Sequence, residues 1–327
     1  MAARESLEDK LAAIRALRGV SLTPEHKCEL RKRIGDRSNL VVAAAAAIAG
    51  ENALVEMAQD LEAAFNRFLV NPLKDDKLCR AKIAVVQALD KMEHQKPDVF
   101  LKAARHVQFE PVWGGSEDSA APLRAVAVVA LARVEGSGSL PLLVDALADP
   151  AKDVRVAAAL ALGAVGTEGA GLVLRLKVRV GDKDPDVLSE CLGSLLAVDP
   201  RENLLVVTEF LEPSDAVTCE AAVMALGKSR LHEALDPLKE CWQRSHSPEL
   251  RQHVLLAIAI LRRPVAIDCL MELVASEPEP AAIEALSALG IYKDDPRLRE
   301  RLARLVHERG SPALQAGFDR DFREPVG

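Results

Sequence analysis

Residues 149–163 read DPAKDVRVAAALALG, and this segment has the sequence features of an amphipathic α-helix. Its apolar residues recur three and four positions apart, which places them on one helical face. Asp149 and Pro150 stand at the start, where an N-cap acceptor and a first-turn proline are favoured. Gly163 stands near the end, as Gly227 and Gly290 do in later copies, where a left-handed glycine is favoured as a cap. The many alanines favour the helix and allow a neighbouring helix to approach closely.

The same pattern recurs along the chain, which makes the sequence a repeat. The equivalent positions Ala157, Glu190 and Glu220 are 33 and 30 residues apart. Further copies occupy residues 40–50, 80–89, 122–134, 184–196, 213–227, 248–261 and 278–290. A second set of amphipathic segments lies between them, at residues 141–147, 203–211, 231–242, 265–274 and 297–306. The sequence therefore predicts about nine helix pairs of about 30 residues each, preceded by an extra helix near residues 7–17.

This pattern resembles the HEAT and HEAT-like repeat family, including its short bacterial type named after phycobilisome lyases. The resemblance is strongest over residues 120–290, and the run DVRVAAALALG from Asp153 to Gly163 carries it most specifically. It implies an all-α fold, an α-solenoid whose concave surface is lined by the second helix of each pair. Most proteins of the family are interaction platforms and a minority are enzymes, so the fold alone does not define the function.

We expect one continuous solenoid over residues 1–327, because a helix pair buries its apolar face only against its neighbours. The outer faces of the end repeats must be polar. Charged residues are frequent at both ends, so residues 1–37 are predicted as a capping region and residues 292–327 as a capping repeat. A basic cluster in the first of these is a candidate contact for an acidic partner, and it comprises Lys27, Arg31, Lys32, Arg33 and Arg37.

The composition argues against several classes of protein. The chain has 327 residues, a net charge of −7 and only 3% aromatic residues, which does not fit a dedicated nucleic-acid binder or a β-sandwich. Its most apolar run, residues 40–49, is much shorter than a membrane-spanning helix of roughly 20 residues. The N-terminus lacks the apolar core of a signal peptide. We therefore expect a cytoplasmic protein with no membrane partner.

The cysteines and histidines show no spacing typical of a metal or catalytic site. None of the six cysteines forms a C-x-x-C pair, and most lie among apolar residues, which predicts small buried core residues. The chain has two His-Glu dipeptides, His232-Glu233 and His307-Glu308, whereas the deoxyhypusine hydroxylases, which share this repeat, need four to bind two irons. We therefore expect no metal, no cofactor and no catalytic residue.

An insertion interrupts the repeat at residues 107–119, which read VQFEPVWGGSEDS. Insertions in solenoids form loops on one face, which is often the binding face. Aromatic residues are frequent binding hot spots, and paired glycines permit unusual backbone angles. We predict a loop that contacts a partner through His106, Phe109, Glu110, Trp113, Gly114 and Gly115. The alternative is that Phe109 and Trp113 fill a gap where the helix stack changes curvature.

Charged residues recur near the starts of the second helices, where they cap free N–H groups and complement the helix dipole. An acidic stripe, interrupted by Arg251, is suggested by Glu190, Glu220, Glu249 and Glu284. These positions also border the predicted concave face. The candidates for partner contacts there are Arg155, Glu190, Glu220 and Arg251.

Together these features predict a non-enzymatic scaffold or adaptor that binds another protein through its concave face or through the 107–119 loop. The alternative is an enzyme or carrier similar to the bilin lyases of this repeat family, which binds a small molecule in the concave groove. No residue of the sequence matches that chemistry.

Overall fold

The computed structural model describes residues 5–212 and 215–322. The predicted capping regions extend beyond these at residues 1–4 and 323–327, and one predicted repeat copy begins at residues 213–214, which also lie outside the described residues. The chain divides into two compact units, of which the first ends at Val165 and the second begins at Gly166.

The first unit consists of two layers of helices. Its helices are α1 (Leu7–Arg15), α2 (Pro24–Ile34), α3 (Asn39–Glu51), α4 (Ala58–Phe68), α5 (Pro72–Asp75), α6 (Arg80–Lys91), α7 (Asp98–Ala104), α8 (Ala121–Glu135), α9 (Leu140–Ala146) and α10 (Lys152–Val165). Helices α3, α6, α8 and α10 pack side by side, and α2, α4, α7 and α9 pack against them. The core between the layers includes the buried rings of Phe65, Phe68 and Phe100.

The second unit repeats this arrangement. Its helices are α11 (Glu168–Val180), α12 (Pro185–Val198), α13 (Pro200–Thr208), α14 (Ala216–Ser229), α15 (Leu235–Arg244), α16 (Pro248–Ile260), α17 (Pro264–Ser276), α18 (Glu279–Leu289), α19 (Pro296–Arg309) and α20 (Pro312–Asp321). The even-numbered helices α12 to α20 pack successively on one another, and α11, α13, α15, α17 and α19 pack against them. Each layer buries the apolar face of the other.

In the described part of the chain, nine helix pairs from α2–α3 to α19–α20 follow the single helix α1. This confirms the predicted all-α solenoid fold and its helix pairs. Side chains cap several helices: Ser6 and Thr23 form capping boxes at α1 and α2, and Asp199 accepts from two N–H groups of α13.

The predicted left-handed glycine caps at Gly163, Gly227 and Gly290 are wrong. Gly163 lies inside α10, and the left-handed glycine after that helix is Gly166, with φ 64°. Gly290 has φ −58°, in the right-handed region. Gly227 lies inside α14, and a Cβ atom there would lie 2.8 Å from the backbone of Ala257 in α16. A side chain at this position would push the two helices apart.

The insertion that was predicted as a loop is a β-hairpin. Strand β1 (Phe109–Val112) pairs antiparallel with β2 (Gly115–Asp118), in the register Phe109↔Asp118 to Val112↔Gly115. Strands of four residues are too short to show a period-two pattern, and Pro111 weakens the strand prediction further. Tertiary contacts therefore determine this element more than its local sequence does.

One segment, Ala121–Ala146, is long and apolar enough to cross a membrane by length and composition. In the structure it consists of α8 and α9, joined by a 3₁₀ turn at Gly136–Ser139. Helix α8 packs against α7 and α10. Its apolar side chains therefore contribute to the core between the helix layers.

The cysteines mostly occupy the predicted core positions. Five are buried, whereas Cys28 is exposed on α2. Burial raises the pKa of the Cys79 thiol to about 11 and that of Cys191 to about 12. These two thiols are therefore protonated and unreactive near neutral pH.

Candidate functional site

The β-hairpin presents the most exposed aromatic side chain of the described residues. Trp113 and Gly114 form its two-residue loop, and Gly114 has φ 91°, a left-handed conformation that favours glycine. The side chain of Trp113 is fully exposed, and that of Phe109 is 61% exposed. Neither ring fills a gap between helices, so the packing alternative for these two residues is wrong.

A groove with a volume of about 1120 Å³ lies between the hairpin and the ends of neighbouring helices of the first unit. Its walls include the turn before α6, the end of α7, and the starts of α8 and α10. Four apolar side chains of these walls are about half exposed: Leu78, Val107, Phe109 and Val112. Apolar surface that is concentrated in this way marks a contact site more often than scattered exposed residues do.

Glu110 anchors the hairpin to the helices and does not project into solvent. Its Oε1 atom accepts hydrogen bonds from Leu78 N at 2.6 Å, Gln108 Nε2 at 2.7 Å and Ser119 Oγ at 2.6 Å. Burial alone would raise the pKa of Glu110, but the hydrogen bonds from Ser119, Gln108 and Leu78 outweigh burial and lower it. The structure therefore gives this predicted partner-contact residue a supporting role.

A buried ion pair also contacts the base of the hairpin. Lys82 Nζ lies 3.1 Å from Asp76 Oδ2 and donates to Gln108 Oε1 at 2.9 Å, and all three side chains are buried. The Asp76 carboxylate also accepts from Ala81 N and Lys82 N, so it caps α6. Gln108 Nε2 donates to the Asp76 carbonyl at 2.9 Å. The base of the hairpin is thus hydrogen-bonded to the start of α6.

Backbone strain is localised beside this anchor. Leu78 and Cys79 are consecutive non-glycine residues in the left-handed region, with φ 60° and φ 52°. Such conformations are unfavourable for residues with a Cβ atom and are retained where the surrounding contacts enforce them. Here the Leu78 N–H is held by Glu110, and the turn directs the half-exposed Leu78 side chain toward the groove.

Arg124 anchors the end of β2 at the base of the hairpin. Its Nη1 atom donates to Asp118 Oδ2 at 2.6 Å and to the His106 carbonyl at 3.1 Å. Its Nε and Nη2 atoms form a bidentate pair with Asp149 at 2.8 and 2.9 Å. Burial alone would raise the pKa of Asp118, but hydrogen bonds from Gln108 N and Arg124 lower it. Both strands are therefore fixed by charged hydrogen bonds at the base of the hairpin.

His106 also belongs to this support. Its Nε2 atom lies 3.3 Å from Gln108 Oε1, and burial lowers its pKa. Gly115, by contrast, has no unusual backbone angle, and a Cβ atom there would meet nothing within 4 Å. Of the six insertion residues proposed from the sequence, Phe109 and Trp113 have the exposed side chains that a partner could contact.

A basic residue recurs near the start of four helices of the second set, and its shared role as a donor to backbone carbonyls was not predicted from the sequence. Lys82 donates to the Phe68 carbonyl, Arg124 to His106, Arg155 to Asp149 and Pro150, and Arg251 to Trp242. Each cation thus binds carbonyl groups of the segment before its helix. The recurrence was visible in the pairs Ala81-Lys82, Leu123-Arg124, Val154-Arg155 and Leu250-Arg251. Arg155 is buried and serves the fold.

The remaining predicted contacts lie in the second unit, where each has a neighbour. Glu190 accepts from Ser194 Oγ at 3.3 Å, and Glu220 lies 3.3 Å from His253 Nδ1. Arg251 lies 3.8 Å from Glu284 Oε2, and its guanidinium stacks over the ring of Trp242, 4.2 Å from the centroid. Within the suggested acidic stripe, Glu284 is therefore paired with a cation of α16.

Three residues of the basic cluster near the N-terminus form ion pairs within the chain. Lys27 lies 2.8 Å from Glu56, Arg31 lies 2.8 Å from Asp60, and Arg33 lies 2.7 Å from Glu5. These pairs link α2 to the segments around it. Among residues 5–212 and 215–322, no three His, Cys, Asp or Glu side chains converge as metal ligands.

Comparison with solved structures finds similar proteins at low sequence identity. The complex of CpcE and CpcF of phycocyanin lyase from Nostoc sp. PCC7120 is 19% identical, with a TM-score of 0.38, over 71% of this chain and 90% of that chain. Human deoxyhypusine hydroxylase in complex with glycerol is 17% identical, with a TM-score of 0.34, over 82% of this chain and 96% of that chain. No curated protein sequence matches the chain.

The sequence profile of HEAT repeats matches residues 115–176, 172–259 and 208–290. These overlapping matches cover residues 115–290, which is more than half of the chain. The chain therefore belongs to the HEAT repeat family, and the resemblance noted in its sequence is confirmed.

Proposed function

We propose that this protein is a non-enzymatic HEAT-repeat adaptor that binds a segment of another protein at the hairpin groove. The observation that carries the proposal is the full exposure of Trp113 on a hairpin whose base is fixed by buried charged hydrogen bonds. When a partner covers a large apolar ring that was exposed to water, the burial lowers the free energy of the complex. Tryptophan is also enriched among the residues that dominate binding energies.

The anchored hairpin favours tight binding because little conformational freedom is lost on association. The contacts of Lys82, Glu110 and Arg124 already hold the strands in place. Binding to a preformed surface avoids the entropic cost of ordering a loop. A mobile loop of the same composition would bind more weakly.

The charge of the groove defines the partner further. Its walls carry five carboxylates and three cations, namely Glu110, Glu117, Asp118, Asp149, Asp153, Arg105, Arg124 and Lys152. The excess of carboxylates, next to apolar side chains, suits a segment with an apolar residue beside basic ones. The partner is thus a protein with a basic and apolar segment.

The proposal is tested by affinity capture from the native lysate with the purified chain as bait, using wild type, Trp113→Ala and Val70→Ala. Val70 is a matched control, because its side chain is also exposed and lies outside the groove. We expect a stoichiometric protein that wild type and Val70→Ala retain and that Trp113→Ala loses at least tenfold. Cross-linking mass spectrometry of the complex should place the partner's basic segment at the hairpin.

Two results would overturn the proposal. One is capture that Trp113→Ala leaves unchanged, which would move the partner site away from the hairpin. The other is native mass spectrometry that shows a stoichiometric small molecule and no protein. That result would favour the enzyme or carrier alternative, in which the groove holds a small ligand.

A further inference from the structure

The two edges of the hairpin differ in their capacity for hydrogen bonding. Ser119 N donates to the Gln108 carbonyl, and hydrogen-bonded pairs recur at every second residue of an antiparallel ladder. Glu117 and Gly115 therefore face β1, whereas the N–H and C=O groups of Ser116 and Asp118 face away from it. On β1 the outward-facing positions are Phe109 and Pro111.

Pro111 protects the edge of β1, because a proline has no N–H group to offer an added strand. The edge of β2 has no proline, and Gly115, Ser116 and Glu117 are exposed. An edge with unpaired backbone groups is a template for strand addition. In the described part of the chain the sheet has these two strands, so the β2 edge is open.

We propose that the β2 edge, Gly115–Asp118, accepts an extended segment of the partner as a third strand, with a basic side chain opposite Glu117. This proposal rests on the proposed function and specifies how the partner binds. Strand β2 carries no cation, and its Glu117 is exposed, whereas the Asp118 carboxylate is already paired with Arg124. A lysine or arginine directly across from a carboxylate stabilises a strand pair.

A second copy of the chain is a poor occupant of this edge. Antiparallel pairing of two β2 strands about a two-fold axis at Glu117 would place the two Glu117 side chains opposite each other. Like charges directly opposite one another destabilise strand pairing. The charge of β2 therefore favours a basic partner strand over self-association.

The test uses the full chain, labelled with ¹⁵N, and three synthetic eight-residue peptides with blocked ends. The first alternates lysine and valine, the second alternates glutamate and valine, and the third is the lysine peptide with N-methylated backbone positions. We expect the lysine peptide to bind at least tenfold more tightly than the other two. Hydrogen exchange at the Ser116 and Asp118 amides should slow in its complex.

Two variants at one position separate strand addition from other contacts. Ser116→Pro removes the outward N–H and leaves the hydrogen bonds to β1 intact, and Ser116→Ala keeps the N–H. Pro111, which lies opposite Ser116, shows that this type of position tolerates proline. We expect Ser116→Pro to weaken binding of the lysine peptide at least tenfold and Ser116→Ala to change it less than twofold. The melting temperature of both variants checks that the fold is retained.

Failure of this proposal is distinguishable from failure of the proposed function. If the lysine peptide does not bind, or binds Ser116→Pro and wild type equally, strand addition is wrong. If the captured partner is lost with Trp113→Ala but retained by Ser116→Pro, the adaptor function stands without strand addition. If Trp113→Ala also retains the partner, the proposed function itself is wrong.

Discussion

Lys82 Nζ lies 2.9 Å from Gln108 Oε1, and both side chains are buried. The bond joins α6 to the residue that precedes β1, and Asp76 supplies the opposite charge at 3.1 Å. A buried ammonium is tolerated only where such partners surround it. The hairpin is therefore fixed to the helical repeat by an interaction whose loss leaves a charge without compensation.

Substitution of Lys82 should destabilise the whole first unit. Lys82→Met leaves the buried Asp76 carboxylate unpaired, and removal of one partner of a buried pair costs about 3–5 kcal/mol. Urea unfolding measures the loss. Lys102→Met is the control, since Lys102 Nζ contacts Asn66 at an exposed site and should change stability by less than about 0.5 kcal/mol. A loss below about 1 kcal/mol for Lys82→Met would contradict the role of the buried pair.

Two arginines of α8 should differ sharply in their contribution to stability. Arg124 is buried and pairs with Asp118 and Asp149, whereas Arg133 pairs with Asp90 at a partly exposed site. Arg124→Gln should lower the free energy of unfolding by about 2–4 kcal/mol, because two carboxylates lose their partner. Arg133→Gln should lower it by less than about 1 kcal/mol. Equal effects of the two substitutions in urea unfolding would show that the burial of Arg124 does not increase its contribution to stability.

Acid should weaken the attachment of the hairpin through Glu110. Its pKa lies below the usual value of 4.5 in the folded state, so the ionised form contributes stability above pH 4.5. This contribution is lost as the pH falls through the lowered pKa, since Glu110 is then protonated in both the folded and the unfolded state. The stability gap between wild type and Glu110→Gln should therefore be largest near neutral pH and shrink below pH 4.

The control for this pH dependence is Glu117→Gln, which changes the residue paired with Glu110 across the two strands. Glu117 is exposed and lies opposite the like-charged Glu110, so its substitution should leave the stability of the unit unchanged or raise it by less than about 1 kcal/mol, and should not lower it as Glu110→Gln does. Chemical unfolding at a series of pH values measures both variants. A gap for Glu110→Gln that stays constant with pH would show that its carboxylate does not hold the hairpin.

The sequence predicts the helices well, because each copy carries its own periodic apolar face. The 149–163 segment predicted a helix, and α10 spans Lys152–Val165. The hairpin could not be predicted in the same way, since Glu110 and Gln108 are fixed by residues far along the chain. Lys82 is a charged residue near the start of a helix, and only its recurrence at the position of Arg124 indicates a shared buried role.

Glycines inside the helices should respond to substitution according to the space around them. Gly227→Ala places a Cβ atom 2.8 Å from the Ala257 backbone, so α14 and α16 must separate, at a cost of about 1–3 kcal/mol. Gly193 lies inside α12, where a Cβ atom meets nothing within 4 Å. Gly193→Ala should therefore stabilise the unit by about 0.5–1 kcal/mol, through helix propensity alone.

Thermal and urea unfolding of the two glycine variants measure these opposite effects in the same unit. Helix propensity favours alanine equally at both positions, so the difference between them reports the close contact of α14 and α16. Stabilisation by both substitutions would mean that the helices separate at no cost. In that case Gly227 would not set the spacing of the repeat. Destabilisation at Gly227 alone would show that the spacing of these two helices depends on the missing side chain.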